Sequence, residues 1–185
     1  MAGTVLESER LRLRPLEMGD GDRIFELIND FEIVRNLSMV PWPYERTMAD
    51  NFIRESEVQA REATAVRRGI VPKDDARLAG VMDLRFREDR TGTFGYWVGR
   101  DYWRRGYASE ALAVFVDFAF KELGMRRVGA EALPENEASL GVMRKCGFEP
   151  GDLVTRKRPN FGDAVTMQQM WLTRAEWERG EHERC

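Results

Sequence analysis

A single mixed α/β domain is the fold class that the sequence predicts, and three observations predict it. Strand-type alternation and helix-type spacing take turns along all 185 residues, as layered α/β domains require. One long segment, Arg105 to Leu123, keeps a helical apolar stripe throughout. No repeat, low-complexity tract or linker divides the chain, and its length suits one domain with its own core. The balance of 43% hydrophobic and 33% charged residues excludes disordered and collagen-like classes. No stretch approaches the run of about 18 apolar residues that a membrane span needs.

The elements follow in order. Leu11-Arg12-Leu13-Arg14 alternates apolar and basic, as a half-exposed strand does, and Pro15 ends it. Met18 to Asp22 is a turn and cap, and Ile24, Phe25, Leu27 and Ile28 give a short helical stripe. Pro41-Trp42-Pro43-Tyr44 must be extended or turned, because proline disfavours helix in the residue before it. From Thr47 to about Arg67, Met48, Phe52, Ile53 and Val58 recur on one helical face. Val66 to Val71 and Leu78 to Phe86 read as strands around a turn, and Thr93 to Val98 as a third. The long helix stops at Gly124. Val128 to Leu133 is a strand, Asn136 to Lys145 a short helix, and Phe148 to Arg158 and Ala164 to Leu172 are strands around Pro159 to Asp163.

Composition removes several chemistries. Two cysteines, Cys146 and Cys185, cannot make a disulfide framework. With His182 alone in a charged tail, zinc ligation and a Ser-His-Asp triad both lack their parts, and no metal is expected. A net charge of −3 argues against general nucleic-acid binding. The first residues, Met1 to Glu7, lack a basic region followed by an apolar stretch, which sets the expectation of a cytoplasmic chain without a membrane partner.

The chemistry concentrates where a strand runs into the long helix, over Gly95-Tyr96-Trp97-Val98 and then Arg104-Arg105-Gly106-Tyr107-Ala108-Ser109. Backbone N–H groups at a helix start are unpaired and favour an anion. Gly106 would let the backbone approach it, and Arg104 and Arg105 would add charge-assisted hydrogen bonds. The same residues also suit a plain turn with solvated arginines. Neither a nucleotide P-loop nor a three-glycine dinucleotide fingerprint is present.

This segment resembles the pyrophosphate loop Gln/Arg-x-x-Gly-x-Gly/Ala of the GNAT superfamily of N-acetyltransferases, in its RimJ/RimL branch. The window Trp103 to Ala108 departs from it at Trp103. A second block, Asn136-Glu137-Ala138-Ser139 closing on Lys145-Cys146-Gly147-Phe148, resembles the branch's Asn-x-x-Ser helix. Leu6 to Pro15 looks like its first strand, and Met170 to Trp177 like its last strand and tail.

The resemblance implies a GNAT-like acyl-CoA N-acyltransferase fold, a mixed sheet of about seven strands with helices on both faces, splayed near Val98 at the cofactor cleft. It implies acetyl-CoA as co-substrate, held by Arg104 to Ser109, by the strand at Trp97 and Val98, and by Asn136 and Ser139. Asn136 equally suits a helix cap. The Val98 backbone would polarise the thioester carbonyl, and Ser139 would serve the leaving sulfur. The branch commonly carries a glutamate where this chain has Thr93, so the base must be sought elsewhere. Asp83 and Glu131 are the nearest carboxylates, with ordinary surface strand residues as the competing reading; an acceptor of low pKa would need little base. Trp42, Tyr44 and Thr93 are candidates for the acceptor site, and the first two equally suit core packing. The acceptor is expected to be a small-molecule or peptide amine, with a faint tilt towards cationic amines, and a homodimer is left open. The alternatives are a coenzyme A-binding module without catalysis and, behind it, a phosphate or nucleic-acid interaction domain.

Overall fold

The computed structural model describes residues 3–158 and 162–180. Pro159 to Phe161 of the expected turn, and His182 and Cys185, lie outside these. The first half contains strands β1 (Leu6–Glu7), β2 (Leu11–Arg14), β3 (Ala65–Pro72), β4 (Gly80–Arg87) and β5 (Thr91–Val98). Helices α1 (Gly21–Ile28), α2 (Phe31–Val34) and α3 (Arg46–Arg61) lie between β2 and β3. The second half contains α4 (Tyr107–Lys121), β6 (Arg127–Ala132), α5 (Glu137–Lys145), β7 (Glu149–Arg158), β8 (Asp163–Thr173) and α6 (Arg174–Gly180).

The described strands form one sheet in the order β1-β2-β3-β4-β5-β6-β8-β7. This is eight strands rather than about seven. The expected first strand, Leu6 to Pro15, is a hairpin instead, because Ser8 reverses the chain by donating to the Leu11 carbonyl. The helix expected to reach Arg67 ends at Arg61, since Ala63 takes a left-handed conformation (φ 52°) and turns the chain into β3. Two short helices escaped the periodicity. In α2, Asp30 caps the start by accepting from the Glu32 N–H. In α6, the Glu176 carboxylate accepts from the Thr173 N–H and hydroxyl.

Apolar side chains fill both faces of the sheet. Against one face, α4 packs Leu112, Phe115 and Phe120 with Leu84, Phe94 and Phe148. Phe94 and Phe115 meet edge to face at 5.5 Å. Against the other, Ile24, Ile28, Val34 and Ile53 from α1 to α3 cover Val71 and Val81. β3 is covered on both sides and is buried along its whole length.

All neighbouring strands are antiparallel except β5 and β6, which pair in parallel only from Thr91↔Arg127 to Phe94↔Ala130. Beyond Phe94, β5 stays with β4 as far as Val98, and β6 stays with β8 as far as Ala132. The sheet therefore opens at the C-terminal ends of two parallel strands. The opening starts after Phe94, four residues before the expected Val98, because each strand keeps its antiparallel partner and only the parallel pairing is given up.

Candidate active site

The mouth of this opening faces two helix starts, one after each parting strand. After β5 the chain makes a short turn, Arg100–Tyr102, and then the loop Trp103 to Gly106. Two residues of that loop are left-handed, Arg104 (φ 60°) and Gly106 (φ 79°). A side chain is strained at such an angle, so glycine belongs at position 106. The first bond of α4 runs from the Glu110 N–H to the Gly106 carbonyl. The N–H groups of Tyr107, Ala108 and Ser109 precede it and are left for an external acceptor. Arg104, Arg105 and Gly106 are exposed around them.

The loop is braced from β1 and β2. The Glu110 carboxylate accepts from the Ser8 hydroxyl (2.6 Å) and from the Arg10 N–H (2.9 Å) and side chain. Arg10 also donates to the Arg105 carbonyl at 3.0 Å and lies 5.3 Å from the centre of the Tyr107 ring. Burial opposes the charge on Glu110, yet bonds from Ser8 and Arg10 outweigh it and hold the carboxyl below its usual range. Trp103, the departure from the family's loop pattern, has its own task. Its indole N–H donates to the Val98 carbonyl at 2.7 Å, tying the loop to the end of the splayed strand. The Trp97 side chain packs between the two core clusters.

On the β6 side, Asn136 is the N-cap of α5, its side chain accepting from the Ser139 N–H at 3.1 Å. The cap reading is therefore fulfilled. Ser139 Oγ lies 2.8 Å from the hydroxyl of Tyr96 on β5. Burial pushes the Tyr96 hydroxyl up to about 12, so it stays protonated at neutral pH. Sequence reasoning missed Tyr96 as a site residue, although its alternation with Phe94 and Val98 already set it on the α4 face.

The other face of β5 carries Thr93 and Gly95. Asp83 stands opposite Gly95 and Arg85 opposite Thr93. Arg67 on β3 stands opposite Asp83. Asp83 lies 3.4 Å from Arg85 Nε and 3.8 Å from Arg67 Nε. Burial pushes its carboxyl up, against the pull of the two arginines. A carboxyl raised by burial holds a proton more readily than an exposed one, as a general base must.

Glu131 is differently placed. Arg156 grips it from both nitrogens at 2.8 and 2.5 Å, and Gln169 adds a third bond at 3.0 Å. Burial works against its charge, but these bonds prevail and hold the carboxyl below its usual range. Of the two carboxylates proposed from sequence, Asp83 keeps one oxygen without a hydrogen bond, while both oxygens of Glu131 are bonded.

Trp42 and Tyr44 differ in burial. Tyr44 is buried in the core beneath α3, where burial raises its hydroxyl to about 12. Trp42 is exposed and meets Phe31 edge to face at 5.6 Å. Cys146 is buried, its thiol directed at the Ser109 carbonyl. Among the described residues no group of three or more His, Cys, Asp or Glu is placed to hold a metal ion. No described helix is long and apolar enough to cross a membrane.

A parallel strand pair that parts at its C-terminal ends, with an anion-ready helix start at the mouth, defines an acyltransferase of the GNAT type. The acetyltransferase (GNAT) domain family matches residues 10–149, and the chain belongs to that family. It is similar to the N-acetyltransferase p20 of Bacillus licheniformis, at 26% identity over 93% of this chain and 97% of that one. Among solved structures it resembles RimJ of Mycobacterium smegmatis, with a TM-score of 0.80 at 20% identity over 94% of this chain and 88% of the other. It also resembles RimL, the ribosomal L7/L12 α-N-protein acetyltransferase, with a TM-score of 0.81 at 16% identity over 92% and 98% of the two chains.

Proposed function

We propose that this chain transfers an acetyl group from acetyl-CoA to a primary amine, by direct attack while both substrates are bound. The observation that carries this reading is the parting of β5 from β6 after Phe94, with the α4 start at its mouth. RimL and RimJ, similar in fold, have been solved with coenzyme A. Bound acetyl-CoA supplies an activated thioester; the chain's residues hold it, position the amine and move two protons.

Arg104, Arg105 and the N–H groups of Tyr107 to Ser109 hold the pyrophosphate. The strand edge at Trp97 and Val98, freed from β6, holds the pantetheine arm and offers the Val98 backbone to the thioester carbonyl. Asp83 takes the proton from the amine, and Thr93 lies beside it in the position that lacks the branch's glutamate. Ser139, bonded to Tyr96, returns a proton to the leaving sulfur. The cytoplasm, where acetyl-CoA is available, is the compartment this reading implies.

Thiol release from acetyl-CoA across a panel of amines tests the proposal. Turnover with at least one amine class is expected. Tight coenzyme A binding with no acetylation of any amine would convert the chain to a binding module.

A further inference from the structure

The face of the sheet beside Thr93 holds polar groups that the reading above uses only in part. Four side-chain atoms are buried there without a hydrogen-bond partner: Arg67 Nε, Asp83 Oδ1, Arg85 Nε and Thr93 Oγ1. Folded proteins leave few such atoms, and a cluster of them marks a place where a ligand completes the set.

The two arginines are not equivalent. Arg67 is almost fully buried and already engaged through its far end. It donates to the Phe52 carbonyl at 3.0 Å and to Gln59 at 3.4 Å, and its guanidinium stacks 3.8 Å from the centre of the Phe52 ring. Arg85 is 42% exposed and pairs only through Nε with Asp83. Its terminal nitrogens make no hydrogen bond to any described residue.

Gly95 is what brings Arg85 and Asp83 over the strand. A Cβ there would lie 2.9 Å from Arg85 Nη2 and 3.0 Å from Asp83 Oδ1. Both groups thus overhang the first β5 residue beyond the last β5–β6 pair. Glu131, on the neighbouring strand, is hydrogen-bonded by Arg156 and Gln169 and feels Arg85 only through its charge. The site holds the Arg85 terminal nitrogens without a hydrogen bond and, 3.4 Å from Arg85 Nε, a buried Asp83 oxygen that also lacks one.

We propose that this pair selects the acceptor, an amine with a carboxylate on the same or the neighbouring carbon. The carboxylate takes the Arg85 guanidinium and the amine takes Asp83, with the Thr93 hydroxyl bonding the same ligand. The assignment rests on the reading of Asp83 as the group that receives the amine. A polyamine fits less well, since its second cation would meet Arg67 and Arg85 beside Asp83. A free amino acid and a peptide that begins with aspartate both carry the required chemistry.

Calorimetry on the full chain loaded with coenzyme A tests this through two matched pairs, alanine against alaninamide and Asp-Ala-amide against Asn-Ala-amide, with spermidine as a fifth probe. The carboxylate-bearing member of at least one pair should bind about 10-fold tighter or better. The pair that separates tells a free amino acid from a peptide N-terminus. Arg85→Met should bring the ratio near one with coenzyme A affinity unchanged, and Arg85→Lys should keep part of it. Equal binding within both pairs, tighter binding of spermidine, or a ratio that survives Arg85→Met would overturn the assignment. If Arg85→Met does not fold, the two pairs on the unaltered chain and Arg85→Lys still decide. Because binding is read without turnover, selective binding with no acetylation would refute the catalytic reading and leave the recognition site standing.

Discussion

The hydroxyl of Tyr96 lies 2.8 Å from Ser139 Oγ, linking β5 beyond its parting from β6 to the first turn of α5. The pair spans the mouth of the cleft with two hydroxyls that can pass a proton. Ser139→Ala should lower kcat by about 10²-fold while the acetyl-CoA KM changes little. Tyr96→Phe should cost less, because Ser139 keeps its place through the Asn136 cap. Burial raises Tyr96 to about 12, so its removal should not shift the pH profile below pH 9. Steady-state kinetics of both variants across pH check this, and a fully active Ser139→Ala enzyme would remove Ser139 from the chemistry.

Asp83→Asn should lose kcat by about 10²–10⁴-fold with the acetyl-CoA KM preserved. Glu131→Gln should remain within a few-fold of the parent, because Glu131 is already paired with Arg156. A normal rate in both variants, rising with pH along the titration of the amine itself, would show that the acceptor needs no dedicated base.

Glu131 instead contributes to stability, and the sign follows from its lowered pKa. A carboxyl lowered in the folded state stabilises above its unfolded value of 4.5 and loses that contribution as pH falls through the folded value. Thermal melts between pH 7 and 3 should show a shallower acid decline for Glu131→Gln than for the parent. Equal slopes would contradict the assigned pairing.

Gly106→Glu should abolish coenzyme A binding, since it adds a side chain and a negative charge at the start of α4. Gly106→Ala separates the two effects. The left-handed angle penalises any Cβ by roughly 1–2 kcal/mol, and the new methyl would lie 3.2 Å from Arg10. Melting and calorimetry together should show a modest loss of stability in Ala and a loss of binding in Glu. Undiminished binding in Glu would move the pyrophosphate elsewhere.

Asn136→Ala removes the cap of α5 and should cost about 1 kcal/mol. Coenzyme A affinity should fall as well, because Ser139 and the start of α5 lose their anchor. A lowered melting temperature with unchanged affinity would confine Asn136 to capping.

Gly95→Ala should weaken the acceptor KM while the chain still folds. Its Cβ meets the flexible end of Arg85, which can swing away, and the buried Asp83 carboxylate at 3.0 Å, which must give by a few tenths of an ångström. A melting temperature lowered by more than a few degrees would instead make Gly95 a packing requirement.

The sequence by itself determined the class of fold, and its two motif blocks carried the resemblance to the family. The fold class rests on local rules that need no neighbour: alternation, helical spacing, and an asparagine before a helix. They carried the order of nearly all the longer elements, with Asn136 capping α5 as expected. The tertiary structure alone decided where the sheet opens, because the last parallel pair at Phe94 depends on each strand's other partner. It gave Asp83 and Glu131 different surroundings, since only strand register sets one carboxylate between two arginines and the other against Arg156. It also set Tyr96 against Ser139, which are 43 residues apart. A pattern along one chain shows which face a side chain takes; which group waits on that face is fixed only when the strands and helices come together.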